Sequence, residues 1–485
     1  MDYSLCYLFG TVFISLFVPF MLYLIPWKKH TSTYEGVPRG KMGWPIVGET
    51  LEFVSLGKQG KPDKFMQDRM QKYSNQVFRT SLLMEKMVVL CGPSGNKFLF
   101  SNEDKLVTGW WPSTVTKIFK SAPAGKKETK QLRGALPEFL KMEPLKKYIP
   151  IMDSVAKQHL KENWCNKREV IVFEETKNFT FELACRLFLS IQDPEFVATI
   201  AKHFNFISGG FLAVPIDLPG TNLNKAIKAV ETLQTFILPI IKKRRMKLMN
   251  KGESVIRDIL SHMIIMADGA GMFANDLDIA TKLIGLLVGG HDSSSSTITS
   301  VIKFLAEYPH VYDQVFKEQR EIANSKGEGE PLNWEDIQKM KYSWNVICEA
   351  MRLRPPVAGT FREAITDFCY AGFRIPKGWK IHWNVYTTHK DPKYFPDPDK
   401  FDPSRFEKDG LRPFTFVPFG GGPRMCPGRE YARLVILVFL HNVVNKFSWE
   451  KLVPNETTIS LAIPTPSEGF PIGLKPHENA MVHEV

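Results

Sequence analysis

The sequence is poor in paired cysteines, in linkers and in cofactor fingerprints, and each shortage excludes something. Its seven cysteines stand at 6, 91, 165, 185, 348, 369 and 426 without one C-x-x-C pair. So odd and scattered a set fits a reducing compartment and builds no disulfide framework. No Gly/Ser-rich linker, internal repeat or low-complexity tract follows residue 50. A string of small modules is therefore excluded, and the 485 residues, 44% of them hydrophobic, read as one large body. No glycine-rich flavin or nicotinamide fingerprint appears, so redox chemistry here needs an outside electron source. Basic residues exceed acidic ones, for a net charge of +12, but they are spread along the chain without a motif that reads DNA or RNA. That leaves solubility, anionic lipid and an acidic protein partner as uses for the charge, and no nucleic acid.

Charge itself is missing from Leu5 to Ile25, a run of about the length that spans a bilayer core. Trp27, Lys28 and Lys29 follow it, an interfacial aromatic and then positive charge, which keeps what comes after on the cytoplasmic side. A cleaved secretory signal would be shorter and carry its charge ahead of the apolar run. The expected organisation is a transmembrane anchor over residues 3–26, a stiff Pro/Gly-rich hinge over 27–50 containing "GVPRGKMGWPIVGE", and a catalytic body over 51–485.

Within the body, apolar residues recur at three- and four-residue spacing from roughly 60 to 350, which predicts helices. Between 357 and 400 the pattern turns to short extended runs broken by Ala371-Gly372 and Pro376-Lys377-Gly378, which predicts hairpins. "EYARLVILVFLHNVVNKF" then reads as a strongly apolar helix. The class is α+β, mainly helical.

The most unusual stretch is "PFGGGPRMCPG", Pro418 to Gly428, where one cysteine stands among four glycines and three prolines. Glycine admits close approach and proline stiffens turns, so the segment is a rigid loop shaped around whatever Cys426 touches. A nucleophile would need a nearby base, and zinc would need further Cys or His at ligand spacing; neither spacing is present locally. A single thiolate on haem iron needs no protein co-ligand. The loop resembles the haem-binding signature F-x-x-G-x-R-x-C-x-G of the cytochrome P-450 monooxygenases, matching every fixed position at Phe419, Gly422, Arg424, Cys426 and Gly428.

The resemblance implies a single large haem-thiolate fold with small β-sheets, in which Cys426 is the metal ligand of haem b and Arg424 and Arg362 pair with its propionates. Arg133 resembles the arginine of the W-x-x-x-R helix motif, although Thr129 takes the Trp position. Glu349 and Arg352 of "EAMR", with Arg405 of "FDPSRF", match the Glu-Arg-Arg triad that locks the cysteine loop. "LLVGGHDSSSS" raises two readings. A break between helices, capped by Asp292 or a serine, is one. The resemblance favours the other, the oxygen-activating helix [A/G]-G-x-[D/E]-T-[T/S]. There Gly289 and Gly290 leave room for O2 and substrate, and Asp292 and the next alcohol relay protons. Ser293 departs from the usual Thr, keeping the hydroxyl but losing the methyl that restricts χ1. His291 is read as a packing histidine, since a second axial ligand would block O2.

The likeness covers essentially the whole chain. In "NKFLFSNEDKLVTGWWP", "IDLPGTNLNKAIKA" and "KMKYSWNVICEAMRL" it is greatest to plant microsomal enzymes oxidising triterpene scaffolds, the β-amyrin 28-oxidase group. It implies O2 as co-substrate and electrons from NADPH through a separate flavoprotein reductase. That reductase would meet a basic face near Lys126, Lys127, Arg429 and Arg433. It further implies the endoplasmic reticulum membrane as location, single-pass and facing the cytosol, with a monomeric catalytic unit among the membrane lipid. The expected pocket residues, Leu286, Val357, Ala358, Gly359 and Thr360, are uncharged, and four of them are small, which suits an apolar, rigid polycycle. A β-amyrin-type pentacycle oxidised at the carbon-28 methyl is the first expectation. Another position, a tetracyclic triterpene, a sterol or a taxane-like diterpenoid are alternatives. An isomerase or dehydratase working without O2, and a haem or lipid binder without turnover, are rival classes; retention of Asp292-Ser293 argues against the former.

Overall fold

A computed structural model describes residues 36–120, 140–249, 258–270, 273, 275–407 and 410–477, together with 11, 13–17 and 20. Most of the expected 3–26 anchor, the hinge before residue 36, Lys126, Lys127 and Arg133 lie outside the described residues. Among the described residues no helix is long and apolar enough to cross a membrane.

Eight helices position the site. They are α1 (Gly92–Ser101), α2 (Met142–Asn163), α3 (Val172–Leu189), α4 (Pro194–Gly210), α5 (Asn222–Met249), α6 (Asp276–Glu307), α7 (Lys341–Leu353) and α8 (Arg429–Lys446). Helix α6 starts at Asn275, whose side chain accepts the Asp278 N–H at 2.9 Å, a regular N-cap. At 32 residues it is about 48 Å long by the standard rise, and α3, α5, α7 and α8 pack around it. Helix α8 buries Leu434 to Leu440 without interruption, the signature of a helix with apolar neighbours all round. Its Asn442 amide donates to buried Asp153 of α2 at 2.8 Å.

The helix break near Asp292 is not realised: α6 runs through Gly289, Gly290 and the four serines. Those hydroxyls do not compete with the helix, because they bond its own carbonyls or a neighbour. Ser293 Oγ donates to the Gly289 carbonyl at 2.9 Å, Ser294 to Gly290 at 3.0 Å, and Ser296 crosses to Pro464 at 2.9 Å. Back-bonding of this kind satisfies a buried serine inside a helix.

Strands appear earlier in the chain than the periodicity predicts. A five-stranded sheet runs β1 (Val77–Leu82), β2 (Glu85–Leu90), β5 (Lys380–Asn384), β4 (Gly359–Ala364), β3 (Val107–Trp110), with only the β2–β5 pair parallel. Three of its strands lie in the stretch read as helical. The β1–β2 hairpin turns on Leu83 and Met84, both at positive φ, where hairpin rules look for Asn or Gly; nothing in the residue types marks it. The pairing puts Gly109 opposite Arg362 and Trp110 opposite Phe361. The expected hairpin at Ala371-Gly372 joins Phe368–Tyr370 to Phe373–Ile375.

Candidate active site

The cysteine loop lies flat against the end of α1. A Cβ on Gly421 would overlap the Phe100 ring, and one on Gly422, at φ +65°, would overlap the Phe100 carbonyl. The loop closes on itself through Cys426 N–H to the Phe419 carbonyl at 2.9 Å and Met425 N–H to Gly422 at 3.0 Å. Phe419 is half-buried against the main core. The Cys426 side chain is exposed and stands two residues before Gly428, the N-cap of α8. The first-turn N–H groups of a helix have no acceptor within it and favour negative charge nearby. A thiolate at this place is stabilised.

Behind the loop the expected triad is assembled, with Glu349 and Arg352 fully buried and Arg405 half-buried. Arg352 and Glu349 are both 0% exposed and pair bidentately, Nε to Oε2 at 2.6 Å and Nη2 to Oε1 at 2.7 Å. The remaining Arg352 donors go to the carbonyls of His389 at 2.8 Å, Pro398 at 2.7 Å and Lys400 at 3.2 Å. Arg405 adds an ion pair to Glu349 at 3.4 Å. The chain from 389 to 405 is thus pinned to α7. His389 hands the constraint on: its Nε2 accepts the Val417 N–H at 3.0 Å at the base of the loop. Burial, with Arg352 adding to it, lowers its pKa to about 3, so it is neutral.

On α6 the two neighbours read as a relay face different partners. Ser293 is half-buried with its hydroxyl on Gly289. The Asp292 carboxylate accepts from Ser208 of α4, lies 3.7 Å from Lys177 of α3 and 3.2 Å from His291 Nε2. Asp292 therefore reaches Ser293 only through something between them. His291 is buried between Phe181 and Phe204, ring centroids 5.2 and 5.9 Å away. Burial depresses its pKa while Asp292 opposes the shift. The two glycines also differ. A Cβ on Gly289 would meet open space, whereas one on Gly290 would press the Phe188 ring at 3.2 Å. Gly290 is small for packing between α6, α3 and α8.

The expected pocket residues around 357–360 lie at the start of β4. Val357 is exposed and Ala358 to Thr360 half-buried; Leu286 of α6 is half-buried against the main core. Ala358 packs on the Phe65–Phe78 cluster, and the missing Cβ of Gly359 admits the Trp383 carbonyl. Thr360 carries a task the residue type did not announce: its hydroxyl accepts from Arg362 Nη1 at 3.0 Å.

Arg362 and Arg424, 62 residues apart in sequence, meet on one carboxylate that motif reading missed. Glu103, buried, binds Arg362 Nε at 2.6 Å through Oε2 and Arg424 Nε through Oε1. Nothing in "SNEDK" separates Glu103 from an ordinary solvated turn charge. Arg362 also donates to the Phe361 carbonyl at 3.0 Å. Arg424 fills the slot left by Gly109, where a Cβ would overlap its guanidinium. An exposed thiol at a helix N-terminus and two guanidiniums sharing one carboxylate form a donor set that fits a thiolate-ligated haem, in which Cys426 would hold the iron and Arg362 and Arg424 the carboxylates. Bound there, haem supplies activation of O2 for oxidising unactivated carbon.

Residues 38–471 match the family model described as cytochrome P450. A beta-amyrin 28-monooxygenase of Saponaria officinalis is 54% identical, over 98% of this chain and 98% of its own length. A beta-amyrin 6-beta-monooxygenase of Solanum lycopersicum is 50% identical, again over 98% of each. Among solved structures, the retinoic acid-bound cyanobacterial CYP120A1 is similar with a TM-score of 0.80 and 29% identity, covering 91% of this chain and 99% of that one.

Proposed function

The chain belongs to the cytochrome P450 family and is an oxidoreductase of the monooxygenase type, and we propose that it oxidises a pentacyclic triterpene of the β-amyrin type. The observation that carries the proposal is the near full-length similarity to beta-amyrin 28-monooxygenases, joined to an uncharged entry to β4 at Val357 to Thr360. The carbon-28 methyl, taken stepwise to the acid, is the favoured position. Oxidation at another carbon of the same scaffold is a second reading, favoured by the relative that is a beta-amyrin 6-beta-monooxygenase.

In this reading Cys426 holds the iron and Arg362 and Arg424 hold the propionates. Glu349, Arg352 and Arg405 keep the loop in shape. Ser293 would hold a water through its spare lone pairs, and Asp292 would feed protons towards it through solvent. Electrons come from NADPH through a separate flavoprotein reductase docking near Arg429 and Arg433, and residues 3–26 anchor the protein to the endoplasmic reticulum membrane with its body in the cytosol. The test is expression in yeast making β-amyrin together with a plant reductase, followed by product analysis. A carbon-28 alcohol, aldehyde or acid is the expected result. Oxidation elsewhere on β-amyrin moves the proposal to the second reading, and consumption of lupeol or dammarenediol but not β-amyrin overturns both. Cys426→Ser is expected to lose the thiolate-type band of the reduced, carbon monoxide-bound protein.

A further inference from the structure

Glu103 is 7% exposed and sits in a tight turn directly after α1. The Asn102 carbonyl accepts the Lys105 and Leu106 N–H groups at 3.1 and 3.0 Å, and Asp104 N–H closes on the Val107 carbonyl at 2.7 Å. This turn fixes the carboxylate under two cations from distant parts of the chain, a strand and the cysteine loop. Each arginine gives Glu103 only its Nε. Arg362 spends its Nη1 on Thr360 and Phe361, while its Nη2 makes no hydrogen bond among the described residues. Arg424 has an outer ion pair to Asp104 at 3.9 Å and, among the described residues, no further side-chain hydrogen bond. Donors on both guanidiniums are left over, and Glu103 decides which way they point.

We propose that Glu103 is the positioning residue of the haem-carboxylate clamp. It holds Arg362 and Arg424 side by side with their spare N–H groups turned to one dianionic ligand, and it reduces the pair's charge from two to one. The proposal rests on assigning those arginines to the propionates. Its electrostatic consequence has a sign. A negative charge near the haem disfavours the electron added on reduction, and a positive charge favours it. Burial lowers the Arg362 pKa while Glu103 opposes that; arginine stays charged throughout.

The test uses full-length, haem-loaded protein in detergent with two readouts other than turnover: the rate of haem transfer to apomyoglobin and the midpoint potential. Glu103→Gln is expected to release haem about tenfold faster, the equivalent of one charge-assisted hydrogen bond, and to shift the potential positive. Arg424→Gln is expected to release haem faster and to shift the potential negative. Because Glu103 also holds Arg362, the double variant should release haem faster than Arg424→Gln alone, but by less than the product of the two single effects, since the Arg424 contact is shared. Glu103→Asp keeps the charge and shortens the reach, so its potential should stay near wild type while release still rises. It also serves if the Gln variant does not fold. Wild-type release and potential in Glu103→Gln, with altered values in Arg424→Gln, overturn the proposal but leave the arginine assignment standing. No change in Arg424→Gln or Arg362→Gln overturns the assignment itself. An Asp variant with a positively shifted potential removes the charge argument.

Discussion

Of the clusters that set one glutamate between two arginines, those at Glu349 and Glu103 serve opposite purposes. Around Glu349, every Arg352 donor is spent: two on the carboxylate, three on backbone carbonyls of the 389–400 segment. Around Glu103, the arginines keep donors in reserve. A guanidinium has five N–H groups in a fixed fork, so what the fold leaves unspent is available to a ligand. Arg352 is scaffold because nothing on it remains to bind, although Arg405 beside it makes one hydrogen bond, from Nη2 to the Asp397 carbonyl at 3.1 Å; Arg362 and Arg424 are the candidate site because both keep donors next to the cysteine loop. Burial does not separate the two clusters: Arg352 and Arg424 have side chains 0% and 18% exposed, but Arg405 at 12% is more exposed than Arg362 at 8%.

The largest test of this contrast is to remove a spent donor. Arg352→Ala leaves buried Glu349 with only the Arg405 ion pair at 3.4 Å and the Asp402 N–H at 3.0 Å, and frees three carbonyls, a loss of about 3–5 kcal/mol by precedent for broken buried pairs. No haem-loaded protein should be recovered, judged by the carbon monoxide difference band per milligram of protein. Arg352→Lys should fail as well, because an ammonium cannot satisfy the fork. Recovery of a normal band from Arg352→Lys would show that the donors are not all needed.

A second test titrates the link between the scaffold and the cysteine loop. His389 is neutral when folded, with a pKa of about 3 against an ordinary 6.5. The unfolded chain therefore binds the extra proton first, so stability is complete above pH 6.5 and falls as pH drops from there towards 3. His159, His382 and His441 are depressed to about 4 by burial and act the same way. His389→Gln should therefore lose less stability than wild type between pH 7 and pH 5 in urea titrations. A variant whose loss equals that of wild type would place the acid sensitivity in the other depressed histidines, which include His291 and His477 as well.

Smaller again is the effect of each outer arginine. Arg405 reaches Glu349 by one ion pair at 3.4 Å, and Arg405→Ala should cost about 1 kcal/mol. Arg424→Gln should change global stability by no more than about that amount, even though it changes haem release. If the Arg424 variant is as unstable as Arg352→Ala, the reserve cluster is scaffold too.

What could be read from the sequence divides along the same boundary. The cysteine loop, α8 and the i, i+3 pair Glu349/Arg352 are local, so residue type and spacing expose them. Glu103 is not, because its partners lie 259 and 321 residues away, and only the sheet register and the Gly109 slot bring them together. The β1–β2 hairpin stayed hidden because its turn uses Leu83 and Met84 at positive φ, a choice tertiary packing overrides propensity to allow. The orientation of Asp292 was equally hidden: Ser208 and Lys177 come from two other helices.

The smallest stability effect, and the finest test of spent against spare capacity, belongs to Ser293. Its proton goes to the Gly289 carbonyl at 2.9 Å, and its oxygen keeps lone pairs that can accept from a water. Ser293→Ala removes that acceptor and one half-buried hydrogen bond to a helix carbonyl, so stability should move by about 0.5 kcal/mol or less. Product formed per NADPH consumed should nevertheless fall, because a water no longer held in place delivers its proton less often. Ser293→Thr should match or exceed wild type, since the added methyl restricts χ1 while the oxygen remains. Asp292→Asn should keep the Ser208 contact, lose the attraction of Lys177, and slow turnover without weakening substrate binding. If Ser293→Ala couples as well as wild type, the spare oxygen is not the one in use. Ser294, whose hydroxyl is tied to Gly290 in the same way, is then the next to test.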